Sequence, residues 1–207
     1  KTGNYPKEKN TQIEEAFNNM HKILKEANAD FKDVLKLYKP KYISWYNSLK
    51  LFLIPYLKVE KLVPKKGFII DLGCSHGLFT NLLAFKSKER KVLGLEINNN
   101  RIKYANIGIS NASFEAGDIT KMNIPETDCI IFTHVLHHLK NYEEQEKLLQ
   151  ACYNKLRVGG YIIISEVDKF PKWKYIISLF VDYILYPFER INYRSVEDFT
   201  SLLKKIN

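Results

Sequence analysis

The sequence predicts an α/β fold, a doubly wound and mostly parallel sheet preceded by N-terminal helices. Three observations predict it. Four short apolar runs of β character, at 69–72, 92–96, 129–134 and 161–166, are separated by stretches with helical spacing, the alternation that builds a parallel sheet through crossover helices. The first run breaks into Gly73-Cys74-Ser75-His76-Gly77 and resumes as the apolar segment from Leu78 to Ala84, which reads as strand, glycine turn and helix. Asp71 and Glu96 sit at the ends of successive strands. In a right-handed crossover unit the carboxyl ends of the strands gather, so both acids and the turn face one crevice.

Composition bounds the rest. A chain of 207 residues with 45% hydrophobic content supports one domain with an appendage. The division expected is a helical cap over 1–58 and a nucleoside-binding domain over 59–207, carrying an apolar insertion at 169–190. The net charge is +9, and residues 1–66 hold 14 basic against 7 acidic side chains while 67–166 hold 11 of each. A neutral core with a basic attachment suits RNA or an anionic membrane, although a lysine-rich solvated face has the same composition. Cys74, Cys129 and Cys152 form no Cys-x-x-Cys pair, which argues against a disulfide framework or zinc site and for a reducing, cytoplasmic setting. No secretory signal is visible, and the chain opens at Lys1 without methionine.

In chain order, apolar positions from Ile13 through Phe17, Met20, Ile23, Leu24, Phe31 and Val34 to Tyr38 keep helical spacing, with a break near Asn28-Ala29-Asp30. Pro40 suits the first turn of the next helix, which ends near Pro55. Val59 to Pro64 leads into the first strand. The charged run from Lys86 to Lys91 is the surface turn after the first core helix, and Asn98-Asn99-Asn100 starts the second. Phe114 to Asp118 places a third acid after a short strand. Asn141 through Leu156 reads as a helix with Leu148, Leu149, Cys152 and Leu156 inward. Val158-Gly159-Gly160 turns into Tyr161–Glu166, an apolar run suited to a strand buried on both faces. Residues 175–188 contain one charge, Asp182, and are too short to span a bilayer as a helix. They suit a lid over an apolar substrate, an interfacial anchor with basic flanks, or a buried helix. Ser195 and Asp198 form a capping pair for a last helix.

The glycine turn admits two ligands in principle. A dinucleotide-binding Gly-x-Gly-x-x-Gly pattern counted from Gly73 needs glycines where Ser75 and Leu78 stand. Asp71, Gly73 and Gly77, with Ser75 at the middle glycine position, instead resemble the acid-x-Gly-x-Gly-x-Gly motif of the class I S-adenosylmethionine-dependent methyltransferases. Glu96, Gly117-Asp118-Ile119, the strand ending in Thr133-His134, and Arg157 to Tyr161 follow in that family's order. The resemblance covers about residues 60–166.

It implies S-adenosylmethionine as cofactor, held by Asp71, Gly73, Cys74 and Gly77 of the loop and by His134 at the end of strand four. Glu96 would accept the ribose hydroxyls, and Asp118 would accept from the adenine amine with Ile97 and Ile119 on either side of the ring. N-terminal helices of such enzymes often cover the cofactor, and Tyr42 and Tyr46 are the candidates here. His137 is the candidate catalytic base, since a neutral imidazole can take a proton near pH 7; a structural histidine is the alternative. His134, His137 and His138 invite a metal, but no further ligand accompanies them, so no metal is expected. Family members normally continue into two antiparallel strands, and none follows in this chain.

The function expected is methyl transfer to a small apolar or amphipathic acceptor. Two rivals are an RNA methyltransferase using the basic N-terminal helices, and a non-catalytic subunit that binds a partner or a membrane through 175–188.

Overall fold

The computed structural model describes residues 29–168, 172–185 and 190–206; the part of the helical stretch expected from Ile13 that precedes residue 29, and the segment 186–189, fall outside that set. Five strands form one sheet: β1 (Gly67–Leu72), β2 (Arg90–Glu96), β3 (Ala112–Ala116), β4 (Thr127–Thr133) and β5 (Leu156–Ser165). Their order is β3-β2-β1-β4-β5 and every pairing is parallel. The winding reverses between β1 and β4, the place where an open α/β sheet leaves a crevice at its carboxyl ends.

Helices α1 (Ala29–Leu37), α2 (Lys41–Leu53) and α3 (Tyr56–Glu60) precede the sheet. Helices α4 (Leu78–Lys86), α5 (Asn99–Ala105) and α6 (Tyr142–Tyr153) follow β1, β2 and β4, while α7 (Lys172–Leu185) and α8 (Val196–Ile206) follow β5. The two-residue period of the strands divides the core in two. Ile69, Val92 and Ile131 pack against Phe31 and Val34 of α1 and Leu82 and Leu83 of α4. Ile70, Leu93, Ile130 and Phe132 pack on the opposite face against Leu148 and Leu149 of α6 and Leu202 of α8. Asn98 caps α5 by accepting from the Asn100 N–H at 3.0 Å, and the Ser195–Asp198 capping pair forms with both bonds at 3.1 Å.

Three expectations need correction. The lead-in at 59–64 contains part of α3, which buried Arg90 fastens to the sheet by donating to Pro64 O, Val63 O, Leu83 O and Glu60 Oε1. Leu156 opens β5 instead of closing α6, because Asn154 already ends the helix with an N–H to Gln150 O at 3.1 Å. β5 is not buried on both faces. It is the outer strand of the sheet among the described residues, and only Ile163 along it is fully buried. Beyond β5 the described residues form two helices and no strand.

Candidate active site

A cavity of about 270 Å³ opens at the carboxyl ends of β1, β2 and β4, with Tyr46 and Lys50 of α2 on one side and Asp182 of α7 on another. Glycine makes its entrance turn feasible. Gly73 has φ of 74°, and a Cβ there would lie 2.3 Å from a Val135 methyl; Gly77 has φ of 71°, and its Cβ would meet the Phe114 ring at 2.5 Å. Ser75 occupies the left-handed region at φ 55° in place of the middle glycine.

Four of the loop N–H groups are engaged within the protein. Gly73 and Cys74 donate to Leu95 O at 2.8 and 3.0 Å, Gly77 donates to Cys74 O at 2.9 Å, and Ser75 donates to Glu96 Oε2 at 2.9 Å. The turn is thus bound to β2.

Glu96 is almost fully buried at the cavity wall. Its Oε1 accepts from the Asn98 N–H at 2.9 Å, and Arg101 lies 4.0 Å from Oε2. Two backbone donors therefore fix the carboxylate, while each oxygen keeps a second lone pair. Asp71 is fully buried, with Oδ2 accepting from the Thr80 hydroxyl at 2.6 Å and Oδ1 without a hydrogen-bond partner among the described residues. Burial raises its pKa from an ordinary 3.8 to about 6, against the Thr80 bond and the Lys50 charge.

Asp118 receives the Thr120 hydroxyl at 2.6 Å and faces Lys121 at 3.1 Å. The Thr120 bond holds its pKa below the usual carboxylate range. Ile97, 68% exposed, and Ile119 line the cavity beside it and leave an apolar slot. Cys74 and His134 also reach the wall; Gly77 does not.

The histidines divide differently from expectation. His134 has φ of 53°, donates its N–H to Ser165 O at 2.9 Å, and is pushed down to about 4 by burial. His137 does not line the cavity. It sits 2% exposed behind the wall, with Nδ1 2.5 Å from Glu166 Oε2 and Nε2 3.6 Å from Asp182 Oδ2. His138 reaches the cavity instead, and burial lowers its pKa to about 3. The physical reason is the 3₁₀ turn Leu136–His138, in which neighbouring side chains diverge by about 120°.

Several site residues escaped the sequence reading. Lys50, lowered to about 8 by burial and by Arg101, stands one helical turn after Tyr46. Tyr42, by contrast, is exposed and bonded to the Tyr104 hydroxyl at 3.2 Å. Glu166 closes β5 as Asp71 closes β1, and Oε1 accepts the Val135 and Leu136 N–H groups at 2.9 and 2.7 Å. Asp182 was visible as the lone charge in 175–188. It removes the ground for expecting no metal, because ligand atoms of His137, His138 and Asp182 all lie within 4.8 Å of one another.

The family model described as "Methyltransferase domain" matches residues 70–164, from the glycine turn through Glu96 and Asp118 into β5. Over these residues the chain is similar to methyltransferase domains. The chain is 26% identical over 135 residues to a putative methyltransferase of Invertebrate iridescent virus 6, covering 60% of this chain and 49% of that protein. It is 28% identical over 134 residues to a carboxy-S-adenosyl-L-methionine synthase of Campylobacter jejuni, covering 60% and 56%. The chain thus spans about half the length of these relatives. Its fold matches the crystal structure of a putative O-methyltransferase from Nostoc punctiforme with a TM-score of 0.64 at 18% identity, covering 81% of this chain and 54% of that one.

Proposed function

We propose that the chain is an S-adenosylmethionine-dependent methyltransferase acting on a small amphipathic acceptor. The observation that carries this reading is Asp71 Oδ1, a buried carboxylate oxygen at the cavity with no partner among the described residues. Such a group needs a cationic donor, and the amino group of the cofactor's methionine part is one. Glu96, pinned by Ser75 and Asn98, presents its remaining lone pairs to a ribose diol. Asp118 accepts from the adenine amine, with Ile97 and Ile119 enclosing the ring. When bound, S-adenosylmethionine supplies a methyl carbon activated by its sulfonium, for attack by an acceptor lone pair.

The chain's own part is positioning and exclusion of water, which can supply much of the acceleration. Leu49, Leu139 and Tyr46 give the cavity an apolar wall, and Lys50 and Arg101 add positive charge at one side. An acceptor with an apolar body and one polar handle fits both. His137 acts here as a positioning residue, because it lies behind the wall. The rival readings, RNA contact through the basic N-terminal helices and membrane contact through 175–188, rest on the sequence. No helix among the described residues is long and apolar enough to cross a membrane.

The test is calorimetry with S-adenosylmethionine on folded Asp71→Asn protein. Affinity should fall by about 1.5–3 kcal/mol, the range for a hydrogen bond to a charged group; unchanged affinity rejects the ammonium pairing.

A further inference from the structure

The side chains that gather beside the cavity at α7 have more structure than methyl transfer by positioning requires. His137 is locked from behind: Glu166 receives two backbone N–H groups on Oε1 and places Oε2 2.5 Å from Nδ1. A carboxylate oxygen only accepts, so Nδ1 carries the proton of this bond, and Nε2 faces Asp182. Asp182 is fixed in the same manner, by a short hydrogen bond from the Tyr193 hydroxyl. Tyr193 in turn packs against His137 with ring centroids 4.7 Å apart and the planes tilted by 31°, and its segment is tied down by Asn192, whose N–H donates to His137 O at 2.8 Å.

The separation of Nε2 and Asp182 Oδ2 is 3.6 Å. A charge-assisted hydrogen bond closes to about 2.7–2.9 Å, so a shared proton accounts poorly for this gap. An imidazole nitrogen and a carboxylate oxygen on one tetrahedral metal ion, each at about 2.0–2.1 Å, stand about 3.3 Å apart. His138 brings the third ligand atom within 4.8 Å of the other two, so closing the set needs a shift of about 1.5 Å by a half-buried ring.

We propose that His137 Nε2, His138 and Asp182 bind a divalent metal ion of the zinc class at the cavity wall, with Glu166 and Tyr193 orienting two of the three ligands. Two imidazoles and a carboxylate with a remaining open position are the donor set of catalytic rather than structural sites. A carboxylate behind a ligating histidine is the usual outer support of such a set. Metal binding itself goes beyond the methyltransferase reading. Its use rests on that reading: His138 and Asp182 line the cavity, so an open position turned toward it would hold the hydroxyl oxygen of an acceptor and ease loss of that proton to water.

The test uses the full chain without cofactor. Protein freed of metal with a chelator is incubated with Zn²⁺ or Co²⁺ and desalted. Metal content is read by mass spectrometry, and the cobalt form by its visible spectrum. The account expects about one ion per chain, a cobalt spectrum with no thiolate charge-transfer band, and at least tenfold weaker retention in Asp182→Asn and in His138→Ala. His76→Asn should keep the ion, and circular dichroism reports whether each variant is folded. Wild-type protein that retains no metal overturns the proposal, as does a folded Asp182→Asn variant that retains as much as wild type, or a thiolate band. Because Asp182→Asn keeps shape and volume, the proposal stays testable if His138→Ala misfolds. Calorimetry with S-adenosylhomocysteine on the same samples reports the methyltransferase reading separately.

Discussion

Asp71 couples its own ionisation to ligand binding. Its folded pKa of about 6 lies above the ordinary 3.8, so the folded chain holds this proton more tightly than the unfolded one. The resulting stabilisation is fully present below 3.8 and is lost as pH rises through about 6. A cationic amino group reverses the preference, because it pairs with the ionised form. Cofactor affinity should therefore climb as pH rises to about 6 and level off above, and Asp71→Asn should flatten that part of the profile. A wild-type profile without the rise would separate Asp71 from the ligand. Glu96→Ala should weaken cofactor binding by about 1.5–3 kcal/mol, measured by calorimetry. Loss of its anchor on Ser75 adds a readable side effect, a less stable glycine turn. His137→Ala should lower turnover more than cofactor affinity, since the ring lies behind the wall and touches the α7 side of the site; equal loss of both would make it a packing residue.

At the scale of elements, α7 is turned around. Its apolar residues Ile176, Phe180, Tyr183 and Ile184 are 59–68% exposed, whereas Asp182 faces the cavity. Phe180→Glu should leave stability within about 0.5 kcal/mol of wild type in chemical denaturation. A loss of several kcal/mol would show that this face is covered. The short helix α3 behaves oppositely, because buried Arg90 joins it to β2 through four acceptors. Arg90→Ala takes the donor from three backbone carbonyls while Glu60 keeps Lys86 at 3.0 Å, and should cost about 1–3 kcal/mol. Sequence patterning made the strands and most helices legible, since apolar runs of four to six residues bounded by glycines or charges have few other uses. It missed α3, which spans five residues and takes its stability from Arg90, a contact across 30 positions. It also read β5 as buried on both faces, because an apolar run reads the same whether its faces are covered or not.

Across the whole molecule, local motifs found the strand-end side of the cavity and tertiary packing made the other side. Asp71 and Glu96 lie at the carboxyl ends of β1 and β2 and Asp118 follows β3, so their convergence follows from parallel pairing alone. His137 was misplaced by one residue because a 3₁₀ turn changes which side chain faces in. Lys50 and Asp182 come from α2 and α7, outside the sheet, and no strand pattern could bring them to one cavity. The segments that enclose the site are thus the ones whose arrangement depends on packing, and the strand ends beneath them are fixed by the sheet.

The most direct measurement is a calorimetric titration of folded full-length chain with S-adenosylhomocysteine. The account predicts saturable heat at about one ligand per chain, weakened in Asp71→Asn and in Glu96→Ala. Titration of well-folded wild-type protein without measurable heat at several temperatures would contradict it.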